Sequence, residues 1–273
     1  MPEGHSIFRH AAEHRELLAG HVVHAESPQG RFSQGATRIN GRRLVGIGTH
    51  GKHLFYRWER AETLHIHLGL YGKFRVFTAA ASPPTPATRL TLRANGATIY
   101  LAGPTTCELI MPSREEAIRN RLGPDPLRAG TAGNRPSDLL SNLARRTIPI
   151  GAAIIDQSVI AGLGNIYRAE VLFLAGIHPA IGANEVAPEK VREIWDRSVR
   201  LLRKGVKEGK ITTVPRRGAR RDTNERVFVY QRDRYPCRKC GGAISTGESA
   251  NRTIWWCETC QPRSGQGLAH SAE

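Results

Sequence analysis

Four cysteines near the end of the chain constrain its fold more than any other feature. Cys237-x2-Cys240 and Cys257-x2-Cys260 have sixteen residues between them, a spacing at which two knuckles bring four thiolates onto one tetrahedral zinc ion. Disulfides are the alternative. The opening residues, however, lack the basic start and apolar core of a secretory signal, which predicts a cytoplasmic protein with reduced thiols. Four thiolates leave no open coordination position, so one structural zinc per chain is expected. Between the knuckles, residues 243–245 and 253–256 read as the strands of a hairpin with its tip at 247–251, and Arg252 emerges beside that tip. Cys107 is the odd cysteine and reads as structural.

The chain has 273 residues, enough for two domains of ordinary size, and 40% hydrophobic residues can fill their cores. No run of about 18 apolar residues occurs, which predicts no membrane span. Forty Lys and Arg against 24 Asp and Glu give a net charge of +16. Such an excess calls for a polyanionic partner, most simply nucleic acid, although a generally basic soluble protein has the same composition.

Short β-rich runs at 22–25, 44–47, 53–58, 63–68, 73–77, 89–93 and 97–101, punctuated by glycine and polar residues, suggest a sandwich or barrel. On the run 63–68, Leu64, Ile66 and Leu68 share the face expected to be buried. His65 and His67 then lie opposite, facing DNA or solvent rather than a metal, for which no third ligand is evident. Lys52 follows the turn 48–51 at the mouth of a strand, where an ammonium can point into a cleft. Leu70 and Tyr71 sit in a turn between Gly69 and Gly72. They are either wedge side chains able to enter a base stack or a tip folded back on its own core.

From Ser113 onward the texture is helical. Ser113 and Glu116 have the spacing of a capping box, and Gly123-Pro124 stops that helix. Helices follow at 137–145, 150–157 and 166–174. Pro188 starts an amphipathic one with Val191, Trp195, Leu202 and Val206 on its buried face. Asn165 reads as the N-cap of the helix after Gly162-Leu163-Gly164, whose backbone N–H groups, that of Gly164 included, can approach a phosphate closely. The basic loop 216–221 is either solvated charge or a mobile cover over a nucleic-acid site.

Far from the cysteines, Pro2-Glu3 opens a helix that runs to Gly20, with Ile7, Ala11 and Leu18 on one face. Removal of Met1, usual before a small residue, would leave the Pro2 ring nitrogen as a free secondary amine at the positive end of a helix dipole. That position disfavours its protonated form. Such an amine can attack a sugar C1′ and form an iminium.

Taken together, Pro2-Glu3-Gly4-His5, Gly51-Lys52, Gly162-Leu-Gly-Asn165-Ile-Tyr and a terminal four-cysteine finger with Arg252 five residues before Cys257 resemble the formamidopyrimidine-DNA glycosylase and endonuclease VIII family of base-excision repair enzymes. The resemblance runs to Pro262. It implies an α+β fold: an N-terminal catalytic β-sandwich with flanking helices (1–128), a helix-two-turn-helix DNA-binding module (129–226) and a β-hairpin zinc finger (227–262), followed by a disordered tail (263–273). It implies a monomer acting on damaged DNA, with Pro2 as Schiff-base nucleophile and Glu3 as proton shuttle for base release. Lys52 would be the proton donor of β-elimination, Asn165 a phosphate ligand and Arg252 the residue tied to δ-elimination. Gly4-His5 and Leu70-Tyr71 resemble the endonuclease VIII branch, hence oxidised pyrimidines as substrates. Gly69 departs from members that place a polar side chain there. Two other readings compete: 8-oxoguanine and formamidopyrimidine excision, as in the other branch, and a noncatalytic DNA-binding zinc protein. Intact Pro2, Glu3 and Lys52 argue against the second, because binding alone does not require them.

Overall fold

The computed structural model describes residues 2–215 and 223–263. The basic loop 216–221 and all of the expected tail beyond Arg263 lie outside the described residues. The chain divides into two compact units after Leu122, six residues before the boundary drawn from sequence at 128.

The first unit opens with α1 (Gly4–Leu18), whose buried face carries Ile7, Ala11, His14 and Leu18. It continues through β1 (Val22–Glu26), α2 (Ser33–Ile39), β2 (Arg42–His50), β3 (His53–Trp58), β4 (Thr63–His67), β5 (Lys73–Phe77), β6 (Thr88–Ala94), β7 (Ala97–Ala102), β8 (Thr106–Ile110) and α3 (Pro112–Arg121). Every strand pairing is antiparallel, in the order β5-β7-β6-β1-β2-β3-β4-β8. Strand β1 is the corner: Val22 and Val23 pair with β2, whereas His24 to Glu26 pair with β6. The two halves of the sheet share that strand and one core, in which Leu44, Leu54 and Ile66 meet Leu90, Ile99 and Leu101.

Strands β3, β4 and β8 are covered on their second face as well. Phe55, Ile110 and Ile118 form a separate small cluster there, and the Thr63 hydroxyl donates to Glu115 of α3 (3.1 Å), which also accepts from Arg57 and Arg119. This second layer overturns the expectation that His65 faces DNA or solvent: its side chain is buried. The capping box at Ser113 is not formed either. Pro112 already occupies the first turn and Met111 is the N-cap, without a side-chain hydrogen bond.

In the second unit the helices are α4 (Pro136–Ala144), α5 (Ile150–Ala153), α6 (Asn165–Ala175), α7 (Pro188–Glu208) and α8 (Thr223–Arg226), and the hairpin is β9 (Ser245–Ser249) with β10 (Arg252–Trp256). Helix α5 is one turn long, shorter than the expected run to 157. Helix α7 buries Val191, Trp195 and Leu202 as expected, but Gly205 rather than Val206 completes its face. The hairpin tip is tighter than the expected 247–251. Ser249 pairs with Arg252 around Ala250 and Asn251, both at positive φ (52° and 56°), a two-residue turn whose twist matches its strands. Ile254, Trp255, Cys237 and Cys257 pack into the same core as Ile194 and Leu202 of α7 and Tyr167 of α6. The hairpin is therefore built into the helical module and not carried as a separate finger.

Candidate active site and metal centre

The start of α1 is buried. Glu3 is fully inaccessible and is the extended N-cap residue (φ −124°, ψ 173°); its carbonyl accepts from the N–H of Ser6 at 2.9 Å and of Ile7 at 3.3 Å. Its side chain makes no cap hydrogen bond. Pro2 beside it is half-buried. His5 is held neutral, its pKa pushed down to about 4, by burial first and then by Arg9.

Lys52 lies in the two-residue turn joining β2 to β3, where Gly51 takes a positive φ of 55° that a side chain would strain, and His50 pairs with His53. The charge of Lys52 is felt at His67, whose pKa falls to about 4, through burial first and then through that charge. Behind it runs a relay of buried rings: His53 Nδ1 lies 2.8 Å from His65 Nε2, and His65 Nδ1 lies 2.9 Å from Glu108 Oε1. Both ring nitrogens of His65 are thus engaged. This relay escaped sequence reasoning, although three histidines within fifteen residues (53, 65 and 67) were a signal for it.

At the 69–72 turn, Leu70 is 47% and Tyr71 85% exposed, so the tip does not fold back on its core. Gly69 is fixed by sterics: its φ is +67°, and a Cβ there would lie 1.9 Å from the Thr105 hydroxyl. Any side chain here would be strained by the positive φ and would require Thr105 to shift.

The second unit joins Asn165 to the base of the Arg252 strand. Asn165 is the first residue of α6, not its cap. Gly164 is the N-cap, and the Asn165 amide donates to the carbonyl of Thr253 at 3.0 Å. Arg168, fully buried and absent from the sequence-derived site, donates to Asn165 Oδ1 and to the carbonyls of Thr253 (3.1 Å), Ser249 (3.0 Å) and Gly151 (3.2 Å). It grips both strands on either side of the hairpin tip. Its signal was an arginine, with Glu170, inside the otherwise mostly apolar stretch 166–174. Two residues on, Glu170 is also fully buried; it accepts from the N–H groups of Phe228 (2.8 Å), Val229 (2.8 Å) and Tyr230 (3.0 Å) and from the Thr213 hydroxyl. Burial raises its pKa against these bonds.

The four cysteines converge at the other end of the hairpin. All four Sγ atoms lie within 4.8 Å of one another, with Cys237 to Cys260 at 3.8 Å and Cys240 to Cys257 at 3.5 Å. A disulfide would require about 2.05 Å, whereas the edge of a tetrahedron with metal–sulfur arms of about 2.3 Å is about 3.8 Å. Backbone N–H groups of Lys239 and Gly242 point at the sulfurs of Cys237 and Cys240, each at 3.4 Å, as expected around thiolates. The cluster is fitted to bind a metal ion.

The family model described as the formamidopyrimidine-DNA glycosylase N-terminal domain matches residues 1–107, and the one described as its H2TH domain matches residues 122–216. Among curated proteins, Endonuclease 8 1 of Mycobacterium tuberculosis is 39% identical, over 96% of this chain and 100% of its own. The formamidopyrimidine-DNA glycosylase of Heliobacterium modesticaldum is 30% identical, over 96% and 99%. Among solved structures, MutM in complex with carbocyclic 8-oxo-G containing DNA superposes with a TM-score of 0.81 at 26% identity, over 96% of this chain and 100% of that one. Lactococcus lactis Fpg with abasic-site DNA gives 0.81 at 24%, with the same coverage, and shares the fold. These matches define a DNA glycosylase of the repair class. The chain belongs to the formamidopyrimidine-DNA glycosylase and endonuclease VIII family. Among the described residues, no helix is long and apolar enough to cross a membrane.

Proposed function

We propose that the chain is a bifunctional DNA glycosylase and abasic-site lyase that excises oxidised pyrimidines through a Schiff base on Pro2. The observation that carries this reading is the fully buried Glu3 next to Pro2 at the start of α1. Burying a carboxyl group is costly, and beside an amine nucleophile it sits where base release needs a group that moves protons. After removal of Met1, the Pro2 nitrogen attacks C1′, Glu3 manages the protons as the damaged base departs, and the iminium acidifies C2′. Lys52 is the proton donor for loss of the 3′ phosphate. Arg252, carried by the hairpin that Arg168 and Asn165 secure, assists loss of the 5′ phosphate. C1′ is shielded inside a base stack, so the nucleotide must be extruded. The exposed Leu70 and Tyr71 suit a wedge that fills the stack, and Gly164 and Asn165 suit a phosphate contact at the start of α6.

The metal is zinc in this reading, held by Cys237, Cys240, Cys257 and Cys260, and it supplies a structural brace for the hairpin base. The pyrimidine branch is supported by Gly4-His5, by Leu70-Tyr71 and by the 39% identity to a protein named endonuclease 8. Relatives named formamidopyrimidine-DNA glycosylase keep the 8-oxoguanine reading as its rival. Borohydride trapping on duplexes carrying thymine glycol, 5-hydroxyuracil, dihydrouracil or 8-oxoguanine opposite cytosine tests both parts. A cross-link mapped to residue 2, formed fastest with the pyrimidines, is the expected result. An adduct on Lys52 would remove Pro2 from the mechanism, and faster excision of 8-oxoguanine would overturn the branch.

A further inference from the structure

Among the described residues, two groups of three or more His, Cys, Asp or Glu side chains bring donor atoms within 4.8 Å of one another. One is the cysteine cluster; the other is His10, Glu13 and His14 on α1. The sequence His10-Ala-Ala-Glu13-His14 sets two imidazoles four residues apart, with a carboxylate three residues after the first, so all three lie on one face of the helix. Histidines at this spacing are a known way for a helix to chelate a metal.

Two buried nitrogens in this group have no hydrogen-bond partner, His10 Nδ1 and His14 Nε2, although buried polar atoms are almost always satisfied. His14 is fully inaccessible, and its other nitrogen, Nδ1, lies 2.7 Å from the Tyr56 hydroxyl. If Nδ1–H donates to that oxygen, Nε2 is left as a bare lone pair. This is how a metal-bound histidine is ordinarily oriented by the group behind it. The two ring centroids are 5.7 Å apart, against about 5 Å for two imidazoles on one tetrahedral ion with arms of about 2.0–2.1 Å. Glu13 Oε2 already lies 4.0 Å from His10 Nδ1, so a small rotation of side chains closes the set. Phe74 of β5 packs against both rings, at 5.1 and 4.6 Å, and gives the site an apolar wall. Glu13 and His10 remain partly exposed (52% and 28%), which leaves an entry path and room for water in the remaining positions.

We propose that His10, Glu13 and His14 form a second metal site, which takes a borderline divalent ion of the zinc, cobalt and nickel class through two imidazoles and one carboxylate. This donor set suits such ions and not magnesium or calcium, which prefer oxygen. The site lies on the second and third turns of α1, apart from Pro2 and Glu3, and is independent of the reading given above for them.

The test uses the full chain with its cysteine cluster already loaded with zinc. Cobalt(II) is titrated in and followed by visible absorption. The expected result is one further equivalent per chain with nitrogen and oxygen ligation and no sulfur-to-cobalt charge-transfer band. It should be lost in the double variant H10A/E13A, which changes only partly exposed groups and leaves His14 and the core in place. Retention of the bands in H10A/E13A would overturn the proposal. So would a charge-transfer band, which would assign the cobalt to the cysteines, or no binding at all, which would leave the two nitrogens to a buried water or to the Phe74 ring. A rise in melting temperature with cobalt, present in the wild type and absent in H10A/E13A, is the second readout.

Discussion

Replacing Arg168 by methionine should cost the second unit about 3 kcal/mol. The guanidinium donates to Asn165 Oδ1 and to three main-chain carbonyls, those of Gly151, Ser249 and Thr253. Hydrogen bonds to a charged group are worth about 1.5–3 kcal/mol each, so the gross loss is several times larger than the net one. Methionine fills much of the volume and also removes the cost of burying a charge, which offsets most of that loss. Thr253 keeps its bond from Asn165, whereas the Gly151 carbonyl loses this donor. For a unit of this size, about 3 kcal/mol lowers the melting temperature by about 6–12 °C. Arg168→Lys should be nearly as damaging, because one ammonium cannot reproduce a planar fork that spans both strands. Scanning calorimetry of zinc-loaded protein measures the shift, and hydrogen exchange at Thr253 and Ile254 localises it. Midpoints within 2 °C of wild type for both variants, or unchanged exchange in the hairpin, would refute the idea that this arginine fixes the tip.

Glu3→Gln should abolish excision of an intact damaged base yet still cleave a preformed abasic site; equal loss of both would mean that Glu3 only shapes the helix start. Gly69→Ala should destabilise by about 1–2 kcal/mol from its positive φ alone, plus the clash with Thr105. The pair G69A/T105A should recover the clash and not the φ cost, whereas Tyr71→Ala, at an 85% exposed position, should leave stability within about 0.5 kcal/mol and weaken DNA binding. His14 has its pKa pushed down to about 3 by burial. Below the ordinary value of 6.5 the unfolded chain therefore binds a proton that the folded one refuses, and stability falls as pH drops from 6.5 towards 3. One unit into that window, at pH 5.5, the loss is about 1.4 kcal/mol, read as a urea midpoint that His14→Gln should make less pH-dependent. Stripping metal from the cysteines should loosen the hairpin and abolish DNA binding while the helical transition persists, because Trp255 and Ile254 sit in the helical core. Full DNA binding by metal-free protein would contradict the brace.

Periodicity and punctuation made most elements legible: seven of the eight strands of the first unit, α1, α4, α6 and α7 were all readable from alternating or helical apolar spacing. Strand β8 was missed because Thr-Cys-Glu-Leu-Ile shows little alternation, and α2 because Ser-Gln-Gly-Ala-Thr-Arg-Ile has low helix propensity and a glycine. The misreading of His65 has one cause. A strand looks half-exposed in sequence whenever one face is polar, and nothing local announces that α3, about fifty residues on, covers that face. Asn165 was misplaced by one residue for a related reason, since its amide is taken by a carbonyl 88 positions away. Cap preferences rank local options, and a tertiary partner outbids them. The cysteines were legible because their spacing encodes a local geometry, whereas Arg168 was not, because its role depends on three segments that only the fold brings together.

Those three segments bear on how a small hairpin can present one arginine accurately. At its base, four sulfurs meet within 4.8 Å, and Gln261 locks the last knuckle to the helices by accepting from the Cys257 N–H at 3.0 Å and donating to the Ile177 carbonyl at 2.7 Å. Halfway along, Trp255 donates to Asp233 at 3.0 Å and packs edge-on against Tyr230, whose own N–H is held by Glu170. At the tip, Arg168 and Asn165 hold the carbonyls on either side of the turn. A two-stranded ribbon alone in water is marginal at best and free to twist, but one pinned at base, middle and tip has little freedom left. Arg252 sits immediately after the two-residue turn, inside the span that these contacts define. Its position therefore depends on the metal-binding base and equally on α6, which supplies Asn165, Arg168 and Glu170 from the first half of one buried helix.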